Sequence, residues 1–111
     1  MIYLASPYSH PDPLVREARY EAACRATADL VHAGRVVFSP IVHGHSLVRL
    51  GLPTDWSFWQ RFDMDHLRRC DEVIVLRIDG WRESEGVRAE VELARAMGKR
   101  VEYVAGEAGR D

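Results

Sequence analysis

Cysteine is scarce, with only Cys24 and Cys70 in 111 residues and no CxxC pair between them. That excludes a disulfide framework and the paired-thiolate zinc and redox motifs, and leaves two thiols expected to be buried in a reducing compartment. Long apolar runs are missing too. The longest lies around Val73 to Leu76, far short of a membrane-spanning helix. No basic stretch precedes the apolar start at Met1 to Ser6, so the expectation is a cytoplasmic chain without a signal peptide. An excess of positive charge is also lacking: 15 Lys and Arg stand against 17 Asp and Glu, for a net charge of −2. Phosphate-backbone binding needs a basic surface, so nucleic acid is not an expected partner. There is no P-loop, no GxGxxG, no Cys-His catalytic arrangement, and no repeat or low-complexity tract. What remains is an ordinary globular balance of 47% hydrophobic and 29% charged residues, long enough for one domain. We place that domain at 1–104 and a flexible, glycine-containing tail at 105–111.

The pattern along the chain alternates. Met1 to Ala5 is a short apolar run that empties into a turn-rich segment, Ser6 to Pro13, as a buried strand does. Leu14, Ala18, Ala22, Ala26 and Leu30 then recur every four residues, with Pro13 at a first helical position and Gly34 as the stop. Val36 to Phe38 is a second strand broken by Pro40, and 41–53 reads as irregular. Asp55 is an N-cap candidate for a helix to about Arg69. Glu72 to Ile78 is a third strand, Ser84 to about Met97 a helix closed by Gly98, and Arg100 to Val104 the last strand. Strands separated by helices run parallel with right-handed crossovers. The expected fold is therefore α/β: a three-layer sandwich on a parallel sheet of four or five strands, flavodoxin- or Rossmann-like. Ligands in such folds bind beyond the carboxyl ends of the strands.

Two acids stand on the wrong helix faces. Trp56, Trp59, Leu67 and Cys70 form an apolar stripe, and Asp63 lies in its middle, while Asp65 points among Arg61, Arg68 and Arg69. Val87, Val91, Ala94 and Met97 form another stripe, and Glu90 falls on it. A buried carboxylate costs free energy unless something hydrogen-bonds it. Taken singly, Glu90 can be read as an acid near a helix start and Asp63 as half of an ion pair with an arginine. Taken together, beside one ligand edge, they fit glycosidic bond cleavage, with one acid as nucleophile and one as proton donor.

Three ordered motifs carry a resemblance: Ile2-Tyr3-Leu4-Ala5-Ser6-Pro7, then Asp63 to Asp71 (DMDHLRRCD), then Ser84 to Ala94 (SEGVRAEVELA). In that order they resemble the nucleoside 2-deoxyribosyltransferase superfamily, which includes nucleoside 5′-monophosphate N-glycosidases. The resemblance implies Glu90 as the nucleophile, Tyr3 as its hydrogen-bonding partner, and Asp63 as the residue that protonates the departing base. It implies Ser84 as a phosphate contact. The free N–H groups of Glu85 and Gly86 at the same helix start make an anion site physically reasonable. Two departures are visible. Glu92 stands where the family has glycine, and the loop Ser6-Pro7-Tyr8-Ser9-His10-Pro11 is not glycine-rich, leaving Ser6 and Ser9 as its donors.

His43-Gly44-His45 follows the second strand, but no third ligand has metal-site spacing, so no metal and no cofactor are expected. A substrate contact or loop-ordering role suits His43 and His45 better. Trp59 and Trp56 can stack on a base or pack the helix onto the sheet, and Trp81 stands near the expected pocket mouth. The charged residues of the first helix, including Glu17 and Arg19, read as a solvated face. The expectation is an enzyme that cleaves the N-glycosidic bond of a nucleoside or (deoxy)nucleoside 5′-monophosphate through a covalent glycosyl-Glu90 intermediate, with transfer to water or another base. A homodimer or larger homo-oligomer goes with that resemblance. The alternative is a non-catalytic nucleotide-binding or sensor module of the same fold.

Overall fold

The computed structural model describes residues 1–106. Four strands, β1 (Ile2–Ala5), β2 (Val37–Phe38), β3 (Glu72–Arg77) and β4 (Arg100–Ala105), form one parallel sheet in the order β2-β1-β3-β4. Four helices, α1 (Pro13–His32), α2 (Pro40–Val48), α3 (Trp56–Arg69) and α4 (Glu85–Ala96), connect them. Ala105 closes β4 and Gly106 sits in a turn. Both belong to the fold rather than to a tail, and the rest of the expected tail, 107–111, lies outside the described residues. No described helix is long and apolar enough to cross a membrane.

Alternation along the central strands sorts the core into two halves. Tyr3, Ala5, Val73 and Val75 point to one face and pack with Leu67 and Cys70 at the end of α3 and with Val87 and Ala94 of α4. Ile2, Leu4, Ile74 and Leu76 point to the other, onto Ala22, Ala26 and Leu30 of α1. Because β1 and β3 are buried on both faces, they read as continuous apolar runs.

Three expectations need correction. The expected four-residue repeat of α1 is not one face: Leu14 is 77% exposed, while the buried positions are Ala22 and Ala23. A strict spacing of four advances about 40° per step at 3.6 residues per turn, so the repeat winds off the sheet. The segment expected to be irregular after Pro40 begins with α2. Ser39 caps it, its Oγ accepting the Val42 N–H at 3.1 Å, and Pro40 occupies the first turn, where its missing N–H costs nothing. Met97 is not stripe but a half-exposed C-cap, 45% accessible.

The topology fixes where a ligand can sit. From β1 the chain moves to β2 on one side and later to β3 on the other, which makes the carboxyl ends of β1 and β3 a switch point. The loops after β1 and β3, with the first turns of α2 and α4, surround it.

Candidate functional site

A cavity of about 450 Å³ opens at that switch point. Its deep wall carries both anomalous acids. Asp63 lies on α3 on the 3-4 spaced stripe of Trp56, Trp59, Leu67 and Cys70, and is 6% exposed; Glu90 lies on α4 and is 3% exposed. Tyr3, wholly buried in β1, donates its hydroxyl to Glu90 Oε2. No arginine among the described residues pairs with Asp63, and its Oδ1 is buried without a hydrogen-bond partner. The ion-pair reading of Asp63 therefore fails.

Burial governs the chemistry of the pair. It pushes the Asp63 carboxyl up to about 7, so this group holds a proton near neutrality. It pushes Glu90 well above the usual carboxylate range, with the negative charge of Asp63 adding to the rise and the Tyr3 hydroxyl opposing it. The Tyr3 phenol is itself raised well above its ordinary value, by burial first and by Glu90 and Asp63 next, so it remains a donor. The N-terminus of α4 gives Glu90 little help. Glu90 sits in the second turn, and the dipole effect fades beyond the first.

The start of α4 forms a second wall. Ser84 is its N-cap, and its Oγ accepts the Val87 N–H at 3.2 Å. Glu85 and Gly86 complete the first turn and line the cavity with Ser84. Trp56 lies so close to Gly86 that a Cβ there would meet its ring at 3.0 Å, so the missing side chain lets α3 and α4 close on the site. Ser6, also 6% exposed, lines the cavity with its Oγ unpartnered. Two buried polar atoms without partners, lining one cavity, are groups that a ligand would satisfy.

The third wall is apolar: Pro40, Ile41, Gly44 and Val48 of α2 face Trp59, whose ring is held by an Nε1 hydrogen bond to the Pro53 carbonyl at 2.8 Å. His45 belongs to this wall and is bonded on both ring nitrogens. Its Nδ1 is 2.9 Å from the Tyr8 hydroxyl and its Nε2 is 2.9 Å from Glu17 Oε1.

Several expected contacts lie elsewhere. His43 is exposed on α2, stacked on Phe62 at 5.3 Å, and does not line the cavity. Ser9 reaches the rim, but it donates its hydroxyl to the Thr54 carbonyl at 2.7 Å and so ties two loops. Trp81 packs on Tyr103 and the core, not at the pocket mouth. No group of three His, Cys, Asp or Glu among the described residues is placed to hold a metal.

Two contributors escaped the sequence reading. Arg19 is not on a solvated face: it lines the cavity and ties both loops, donating to the Ser9 carbonyl at 2.9 Å and to the Tyr8 and Asp79 carbonyls at 3.4 Å. Gly80 (φ 91°) permits this, since any Cβ there would overlap the guanidinium. Arg19 shares the buried side of α1 with Ala22 and Ala23, and a 3-4 spacing in place of a strict four would have found it. Tyr8 follows no periodicity and carried no signal.

No curated protein matches this chain. A family model described as a domain of unknown function, DUF1937, matches residues 1–106, which is every residue that builds the sheet and the cavity. On that match the chain belongs to the DUF1937 family.

Proposed function

We propose that the protein cleaves the N-glycosidic bond of a nucleoside or nucleoside 5′-monophosphate through a glycosyl ester on Glu90. The observation that carries this is the pair of buried carboxyl groups, Glu90 bonded to Tyr3 and Asp63 protonated near neutrality, on one wall of one cavity. Burial favours the protonated form of both acids, so the reaction draws on the state in which Glu90 has given up its proton and Asp63 has kept one, as nucleophile and acid require. The Glu90 carboxylate attacks the anomeric carbon as the bond to the base breaks. The bonding pair leaves with the base, and the Asp63 proton goes onto it. Positive charge developing on the sugar favours the ionised form of Glu90, and Tyr3 holds the carboxylate in line. In the second step Asp63, now a carboxylate, takes a proton from water or from an acceptor base. That nucleophile displaces Glu90 from the sugar, and both acids return to their starting states.

The rim favours the nucleoside over its monophosphate. Glu83, Glu85 and Asp55 surround the start of α4, and the guanidinium of Arg19 is engaged with carbonyls. A dianionic phosphate would meet like charge there.

Incubation with a panel of nucleosides and 5′-monophosphates, with and without free acceptor base, tests the reading by chromatography of released base. Release by the wild-type chain that is lost in Glu90→Gln supports it. Nucleoside binding without release would move the assignment to a non-catalytic binding module.

A further inference from the structure

Glu17, His45 and Tyr8 form a hydrogen-bonded chain that runs from the surface into the cavity, and the proposed chemistry does not use it. Its polarity follows from its outer end. An ionised carboxylate only accepts, so the Glu17 contact at 2.9 Å puts the proton of a neutral His45 ring on Nε2. Nδ1 is then an acceptor, and the Tyr8 hydroxyl, 2.9 Å away, must donate to it. The ring cannot easily turn out of this arrangement. Tyr20 stacks on it at 4.1 Å and 22°, Tyr8 meets it edge-on at 5.7 Å, and its side chain is only 11% exposed. Arg16 of α1 also donates to this hydroxyl, so with its proton committed to His45 the Tyr8 oxygen has one lone pair left to offer the cavity.

The neighbours say which part of a ligand meets that oxygen. Tyr8 and His45 lie at the α2 wall beside Trp59, Ile41 and Val48, an apolar and aromatic surface suited to a planar ring. The acids Glu90 and Asp63 lie on the α3–α4 side. A nucleoside with its sugar at Glu90 therefore turns its base toward α2.

Resting on the glycosidic reading above, we infer that Tyr8 is a specificity-determining residue that accepts a hydrogen bond from the exocyclic amino group of the base, with His45 and Glu17 as its positioning residues. The substrate class is the amino-bearing nucleosides, adenosine- and cytidine-like. Their oxo counterparts place a carbonyl oxygen against the Tyr8 oxygen and are rejected.

The test acts on Glu17, which sets the polarity and is 51% exposed. In Glu17→Lys an ammonium donates to Nε2, Nδ1 carries the proton and donates to Tyr8, and the Tyr8 hydroxyl turns its hydrogen to the cavity. Affinities for adenosine, inosine, cytidine and uridine are measured by calorimetry at pH 8, where a free imidazole is neutral. The background is Glu90→Gln, which binds without turnover. Relative kcat/KM values for the same four nucleosides, on chains with Glu90 intact, serve if that background is unstable. Expected is a preference of about tenfold or more for the amino member of each pair with Glu17 present. The preference should reverse in Glu17→Lys and collapse toward unity in Tyr8→Phe. A role confined to holding the loop would lower all four affinities together. An unchanged preference in both variants, or no preference at the outset alongside Glu90-dependent base release, overturns this inference and leaves the glycosidic reading standing. Neither binding nor release of any nucleoside overturns both.

Discussion

Replacing Asp63 with asparagine should make the protein more stable at pH 8. Folding moves this carboxyl from an ordinary value of 3.8 to about 7, so the folded state binds its proton more tightly than the unfolded one does. A group shifted upward contributes its stability in full below the unfolded pKa and loses it as pH rises through the folded one. For Asp63 that window runs from about pH 4 to above 7, and the shift of roughly three units corresponds to about 4 kcal/mol. Roughly 3 kcal/mol of this falls between pH 5 and pH 8. Glu90, also shifted upward by burial, pulls in the same direction. Wild-type stability should therefore fall from pH 5 to pH 8. An asparagine side chain cannot ionise, so Asp63→Asn should show a shallower decline, with its curve crossing above wild type at about pH 6 or below. The amide left in an unpartnered site costs about 1–3 kcal/mol at every pH, so the gain at pH 8 is smaller than the full linkage term. Urea unfolding at pH 5, 6, 7 and 8, followed by circular dichroism, reads both curves. A wild-type stability that is flat or rising over this range would show that Asp63 does not titrate with an elevated pKa, as would an Asp63→Asn curve parallel to it.

Other perturbations follow from single contacts. Leu67→Ala removes a fully buried side chain from the cluster that holds Tyr3 and Val87, and should cost about 2–5 kcal/mol in urea unfolding, with near-ordinary activity per folded molecule. Arg19→Ala unties the loops after β1 and β3; amide exchange around Ser9 and Gly80 should quicken while the sheet keeps its protection, at a stability cost of about 1–3 kcal/mol. Gly86→Val drives a branched side chain into Trp56 and should cost about 1–3 kcal/mol by overpacking, with a change in near-ultraviolet circular dichroism that marks the displaced indole.

The acids of the site were legible in the sequence because charge on an apolar stripe breaks a pattern that burial otherwise enforces. Asp63 and Glu90 each occupy a position where the spacing demands a hydrophobe, and the structure buries both. The parallel sheet was legible for a related reason, since Leu4 or Val75 can be apolar on a two-sided strand only if helices cover both faces. What escaped was whatever depends on chain segments meeting in space. Glu17 and His45 are 28 residues apart and Tyr8 sits in a loop, so nothing in local spacing joins them. Ser39-Pro40 misled because proline ends one element and starts another with equal ease, and only the bond from Val42 to Ser39 decides which. Arg19 was hidden by its charge. A guanidinium can lie on a buried stripe when backbone carbonyls surround it.

A glycosyl-Glu90 ester is a covalent species that can be trapped. A nucleoside carrying fluorine at the 2′ position destabilises positive charge at the anomeric carbon, and it slows the second step more than it prevents the first. Protein incubated with such a compound, quenched in acid and digested, is examined by mass spectrometry. One fluorosugar is expected on the peptide containing Glu90, with fragmentation placing it on that residue, and no adduct in Glu90→Gln. A sugar on a different residue, or base released from natural nucleosides with no adduct ever trapped, would contradict the Glu90 ester.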